Sequence, residues 1–414
     1  MALTAHHISQ KEACTHMNAP EERLIVVGGG IGGVTTALAM ARAGHHVRVL
    51  EQASEFSEVG AGLQMAPNAT RQLARLGVLD RVVELGVLPQ ALVFHNAVNG
   101  EPLTRVELNE EFQQRFGGPY VVLHRSDLLD TLVDAAAQAG VELVTGARVE
   151  KIEEDESNGV RVHCADGTVH PGAAALACDG LHSTTRRLFS DDEPVQSGYV
   201  AYRGTIPIED VQGGENLRDV LVWMGPGMHL VQYPLRYGSL YNQVGVFRSP
   251  GFGAGVEDFG GPEELDAMFA PACEQVRRAL PGLGRSRRWP MADREPISTW
   301  TKGRIALLGD AAHPMLQYLA QGACQAVEDA VALADSATDV VGTGPDTDAS
   351  RWPAALERYA SARGPRAALV QRAARLWGEI WHVDGVAALL RDEVFRDRAA
   401  DDLSRATWLW QAGC

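Results

Sequence analysis

Apolar positions along the first sixty residues change period twice within one short stretch. In "RLIVVGGGIGGVTTALAMARAGHHVRVLEQ", Leu24 to Val27 form an unbroken apolar run that predicts a buried parallel strand. Ala37 to Ala43 are strong helix formers, and Gly44 stands where that helix should stop. "HVRVLE" alternates as a strand does and ends in Glu51. Further on, "HRSDLLDTLVDAAAQAG" predicts a helix with Ser126 as N-cap and Gly140 at its end. "VELVTGARV", "VRVHCADGTVH" and "GAAALACDG" predict strands, the middle one a hairpin turning at Asp166-Gly167.

From 198 to about 250 the texture is β-rich with turn signals and no helical segment, which predicts an antiparallel sheet in a second domain. Residues 262 to 280 return to a helical pattern. "GRIALLGDAAH" at 303–313 is a second buried strand and loop, after which Cys324, Val327, Val331 and Ala334 keep helical spacing. Leu369, Ala373, Leu376 and Ile380 do the same in a mainly helical tail, after a loop at 340–350. There are no repeats and no long low-complexity linker.

The 414 residues suffice for two or three domains and a large core. The formal net charge of −16 argues against a nucleic-acid partner, which needs clustered Lys and Arg. Six cysteines, at 14, 164, 178, 273, 324 and 414, show neither a C-x-x-C pair nor a Cys/His ligand spacing. That scatter fits reduced thiols better than disulfides or a metal site, so no metal is expected. The N-terminal stretch lacks the apolar core of a signal peptide and reads as a disordered tail over 1–22, with Met17 an alternative start. No apolar run is long enough to span a bilayer, and a soluble cytoplasmic protein is expected.

Gly28, Gly30 and Gly33 form G-x-G-x-x-G between the first strand and helix, and Glu51 ends the next strand. Such glycines let backbone N–H groups and a helix N-terminus meet a pyrophosphate, while the acid takes ribose hydroxyls. The alternative is a purely structural glycine turn. An acid at 51 suits a free 2′-OH, hence FAD or NAD rather than NADP. "GFGAGVEDFGG" at 251–261 has the wrong spacing for a second nucleotide site, and no C-x-x-x-x-C follows the first fingerprint.

"HRSDL" with Arg125, "DGLHSTTR" with Asp179, Gly180, Ser183 and Arg186, and "GDAAH" with Gly309 and Asp310 occur in a telling order. From about 23 to about 375 the chain resembles the single-component FAD-dependent aromatic hydroxylases, the para-hydroxybenzoate hydroxylase class. The resemblance implies an α/β fold: a Rossmann-like, glutathione-reductase-like FAD-binding domain (23–90, 120–197 and 296–340) interleaved with a substrate-binding antiparallel β-sheet domain (91–119 and 198–295). A mainly helical segment follows at 341–414. It implies tightly but non-covalently bound FAD contacted by Arg125 and Asp310, with the D-G segment around Asp179 between the flavin and the nicotinamide path. NADH and O2 are the implied co-substrates, and a homodimer the implied assembly. A helix beginning near Gly322 would aim its positive end at the flavin.

The loop after "GDAAH" departs from the family pattern: Gln317 stands for Pro, Ala320 for Gly and Cys324 for Asn, while Gln321 and Gly322 are kept. Gln317 brings a donor and an acceptor where Pro brings shape; the bland alternative is an exposed loop residue. In "GPGMHLVQYPLR" a strand would put His229, Val231 and Tyr233 on one face, either lining an aromatic pocket or, for the histidine, satisfied within the core. "HLVQYPLR", "GGPYVVLHRSDL" and "GDAAHPMLQYLAQGA" are similar to the members that act on 3-hydroxybenzoate, which implies active-site roles for His229, Gln317 and Tyr233. The implied reaction is para-hydroxylation to 2,5-dihydroxybenzoate (gentisate) through a C4a-hydroperoxyflavin, with His229 as base. A catechol-forming salicylate 1-hydroxylase, which keeps Pro at the Gln317 position, and a non-oxygenating flavin protein are the alternatives. Arg203 is either the partner of the substrate carboxylate or structural.

Overall fold

The computed structural model describes residues 23–57, 62–155, 159–211, 217–344, 347–399 and 401–411. The tail expected over 1–22 lies outside them, as do Cys14 and Cys414. Two large sheets organise the chain. The first has six strands in the order Thr301–Lys302, Ile305–Leu307, Ala174–Ala177, Leu24–Val27, Val47–Leu50, Glu142–Val144. All are parallel except the two-residue edge strand Thr301–Lys302. Leu24, Ile25 and Val26 are wholly buried, as a central parallel strand covered on both faces must be. Helix Ile31–Arg42 crosses over from the first strand to the second, and Gly44 leaves it at φ +89°.

The second sheet has seven strands: Trp289–Asp293, Val195–Pro207, Leu240–Arg248, Met228–Leu235, Val220–Gly225, Ala91–Asn96, Pro102–Glu107. Only Val220–Gly225 and Ala91–Asn96 pair in parallel. One face, with Val93, Leu221, Leu230 and Phe247, packs on helices Pro262–Phe269 and Glu274–Ala279. The other turns toward the parallel sheet. Alternation therefore sends His229, Val231 and Tyr233 to the inner side of Met228–Leu235 and Leu230 to the outer core. The expected Asp166-Gly167 hairpin forms, with Gly167 at φ +86°.

One expectation is corrected. Ser126 does not cap the helix beginning at Arg125; His124 does, its Nδ1 accepting the Ser126 N–H at 3.3 Å. Helix Gly322–Val340 and the 31-residue helix Trp352–His382 complete the layer that closes over both sheets.

Candidate active site

The glycine loop works partly by shape. Gly28 has φ +103°, and a Cβ there would lie 2.4 Å from the Cys178 carbonyl oxygen; one on Gly33 would lie 1.9 Å from the Gly28 carbonyl oxygen. Gly28 and Gly33 thus let strand, loop and helix close together, while Gly30, Ile31 and Gly32 face the cavity. Glu51 Oε2 accepts the Gly29 N–H at 2.6 Å and Oε1 the Ala53 N–H at 2.7 Å. The carboxylate holds the loop and keeps lone pairs for ribose hydroxyls.

The second passage, Ile305–Leu307 into helix Gly322–Val340, is held from beneath. Asp329 Oδ2 accepts the Gly309 N–H at 3.0 Å and contacts His313 Nε2 at 2.5 Å, and Oδ1 accepts Arg363 Nε–H at 2.7 Å. Burial opposes the charge on Asp329, but His313 and Arg363 outweigh it and bring its pKa down to about 2. Gly309, Asp310, Gly322, Ala323 and Ala326 line the same cavity as Gly30 and Gly32. A Cβ on Gly32 would be only 3.3 Å from that of Ala326, so two helix N-termini meet through small residues. That small-residue, double-helix cradle fits an extended dinucleotide. Arg125 lines the cavity as well.

Asp179 belongs to the segment expected between the flavin and the nicotinamide path. It is absent from the cavity wall, where its neighbours Cys178 and Gly180 stand. Its Oδ2 accepts from the Thr184 and Thr185 N–H groups and the Thr185 hydroxyl at 3.0–3.2 Å. Its Oδ1 is buried and has no hydrogen-bond partner among the described residues. Arg186 is structural, donating to Asp192 and to the carbonyls of Ala311 and Ala312.

The cavity holds about 1190 Å³ between the two sheets, enough for a dinucleotide's reactive half and a small aromatic. Leu92, Phe94, Val220, Val222, Val231 and Val244 make its sheet wall apolar. Against them stand His229, Tyr233, Gln317 and Arg203. Tyr233 is buried and its phenol is pushed well up by burial, against the pull of Arg203 and Arg125, so it stays protonated. The ring stands over Gly62, where a Cβ would come within 2.5 Å of the hydroxyl. His229 is 1 % exposed, and burial with the neighbouring His382 holds its pKa well below 6.5.

Gln317 sits in the short turn Gln317–Leu319, and its Oε1 accepts from Arg203 Nη2 at 3.2 Å. It faces the cavity, so the reading of an exposed loop residue does not hold. The next residue but two, Ala320, adopts φ +52° at the position where the family has Gly. A Cβ in that region costs about 1 kcal/mol. Ala320→Gly should therefore raise the unfolding midpoint slightly in a thermal melt monitored by circular dichroism.

Arg203 is the residue that sequence reading left open. Its guanidinium lies 5.3 Å from the Trp289 ring centroid, and burial followed by the repulsion of Arg125 lowers its pKa. A half-buried arginine near a second cation suits an anionic group. Tyr318 and His382, against which His229 also rests, were not singled out from sequence. His382 reaches the site from the far end of a helix, and no local pattern signals that.

A nucleotide cradle at two helix N-termini, opening onto an apolar cavity that also holds a histidine, an amide and a half-buried arginine, fits a flavin enzyme. The chain belongs to the FAD-dependent aromatic monooxygenases. The family model described as FAD binding domain matches residues 21–214 and 262–374. The chain is 38 % identical over 400 residues to the 3-hydroxybenzoate 6-hydroxylase of Polaromonas naphthalenivorans (strain CJ2), covering 96 % of this chain and 98 % of that protein. Among solved structures, Klebsiella pneumoniae HpxO complexed with FAD and uric acid superposes with a TM-score of 0.80 at 26 % identity, covering 93 % and 95 % of the two chains. A salicylate hydroxylase substrate complex gives 0.78 at 25 % identity over 95 % and 96 %. Among the described residues no helix is long and apolar enough to cross a membrane, and no His/Cys/Asp/Glu cluster could hold a metal.

Proposed function

We propose that this monooxygenase converts 3-hydroxybenzoate, NADH, a proton and O2 into 2,5-dihydroxybenzoate (gentisate), NAD⁺ and water. The observation that carries the reading is that one cavity is lined by His229, Tyr233, Gln317 and Arg203 and also by the cradle residues Gly30 and Gly322. FAD supplies hydride acceptance and oxygen activation. Glu51 takes its ribose end, Arg125 and Asp310 its flavin half, and the substrate lies against the strand Met228–Leu235. His229, kept neutral by burial, accepts the phenol proton, and the ionised ring is electron-rich at the carbon para to it. Tyr233 donates a hydrogen bond to bound substrate. Gln317, its oxygen held by Arg203, orients the ring with its amide N–H groups. The apolar wall keeps water out while the ring is oxidised.

Arg203 binds the substrate carboxylate. Arg203→Gln should raise KM for 3-hydroxybenzoate about 100-fold, as expected for removing one partner of a desolvated charge pair. The neutral analogue 3-hydroxybenzyl alcohol should bind wild type and variant alike, as followed by perturbation of the flavin spectrum. The reading as a whole is tested by nicotinamide oxidation. NADH should be consumed faster than NADPH, and 3-hydroxybenzoate should stimulate it more than salicylate does. Stimulation by salicylate with catechol as product would favour the ortho-hydroxybenzoate reading instead.

We further propose a cytoplasmic homodimer. The four cysteines within the described residues, Cys164, Cys178, Cys273 and Cys324, are free thiols. Helix Gly385–Arg396 exposes Val386, Leu389, Leu390 and Val394, a row of the kind that subunit interfaces cover. Leu390 and Val394 also line the cavity mouth, so a second subunit on this row would shield it.

A further inference from the structure

His229 meets a second histidine. Its Nδ1 lies 2.8 Å from Nε2 of His382, the last residue of helix Trp352–His382, and both rings are buried. We propose that His382 is a positioning residue: it fixes the tautomer of His229 so that Nδ1 carries the proton and Nε2 faces the cavity as a bare acceptor. The inference rests on the role given to His229 above and says what makes that role available.

Two neutral imidazoles sharing one contact have two arrangements. In one, His229 Nδ1–H donates to His382 Nε2. In the other, His382 Nε2–H donates to His229 Nδ1, which puts the His229 proton on Nε2 and leaves no base toward substrate. His382 Nδ1 decides between them. It makes no hydrogen bond among the described residues, and the backbone group that favours a proton on the His382 ring is that of Gly378, one turn earlier in the helix. A bare lone pair there would face a carbonyl oxygen, whereas an N–H there meets an acceptor. The first arrangement therefore wins.

The ring of His382 cannot turn away to undo this. It stacks on Tyr199 with centroids 4.4 Å apart and meets Tyr318 edge-on at 5.4 Å, and its carbonyl accepts the Gly227 N–H at 3.0 Å. The titratable and charged groups around the pair are Tyr199, Tyr318 and Arg391, the last ion-paired to Asp392. Burial, then Arg391, bring the pKa of His382 down to about 3, so it serves as a neutral acceptor at working pH.

The test is two-bond 1H–15N correlation spectroscopy of histidine-labelled, FAD-loaded protein, with His229 assigned by comparison with His229→Gln. The expected wild-type spectrum shows His229 protonated at Nδ1 and bare at Nε2. His382→Phe, which keeps a ring but loses the acceptor, should mix the tautomers and lower kcat about 100-fold with little change in KM. His382→Gln, whose side-chain oxygen can accept at the same place, should restore kcat to within about tenfold, in keeping with a general-base contribution of roughly 10²–10⁴. A wild-type His229 protonated at Nε2 overturns the proposal, as does a flavin-loaded His382→Phe with wild-type kcat. If the tautomer is as stated and wild type makes no gentisate, the reaction assignment fails instead.

Discussion

His229→Gln should lower kcat for 3-hydroxybenzoate by about 10²–10⁴ while leaving flavin content and the substrate-induced change in the flavin spectrum nearly intact. Glutamine keeps hydrogen-bonding groups close to the imidazole's position but cannot take a proton. The pH dependence follows from the environment of the ring. Burial, then His382, depress the His229 pKa, so the neutral form persists as pH falls through the ordinary histidine value of about 6.5. The acid limb of kcat/KM should accordingly fall well below pH 6.5 in wild type. Stopped-flow and steady-state rates between pH 5 and pH 8 would check both points. A variant that turns over at the wild-type rate would remove His229 from the chemistry.

Asp329→Ala should cost about 3–5 kcal/mol of stability, the loss typical of breaking a buried charged network by removing one partner. Asp329 is wholly buried, and its loss would strand His313, release one of the ion pairs of Arg363 and free the Gly309 N–H that sets the second FAD loop. Arg363 would keep its pair with Glu328, whose Oε1 also accepts from Asn68. The variant should therefore lose flavin at a lower denaturant concentration than it loses helicity, with fluorescence of released FAD and circular dichroism reporting the two. The sign with pH is definite: a carboxyl depressed to about 2 contributes stability that is present above its unfolded value of about 3.8. That contribution, about 2 kcal/mol, disappears as pH falls toward 2. Asp329→Asn should show a flatter loss of stability in that window.

Local chemistry made much of this molecule legible before its structure. The unbroken run Leu24–Val27, the glycines that follow and Glu51 are dictated by short-range needs: a two-sided burial, a close backbone approach and an acid at a strand end. The period-2 pattern around His229 and Tyr233 correctly put both on one face, because strand alternation is a property of the backbone. Gln317 stood out only against a family pattern, and its facing of the cavity depends on a turn whose direction no local rule gives. Asp179 is a motif residue engaged in part within its own turn: one carboxylate oxygen accepts from Thr184 and Thr185, and the other is buried without a partner among the described residues. Arg203 was named from the sequence with its role left open, and His382 was not named, for a different reason. Each matters through a partner more than a hundred residues away, Gln317 for one and His229 for the other.

The most direct test is the product itself. Protein loaded with FAD is incubated with 3-hydroxybenzoate, NADH and air, and the aromatic products are separated by chromatography while NADH is followed by absorbance. Gentisate formed mole for mole with NADH consumed is the predicted result. NADH consumed with only hydrogen peroxide formed, or catechol formed from salicylate in place of gentisate, would contradict it.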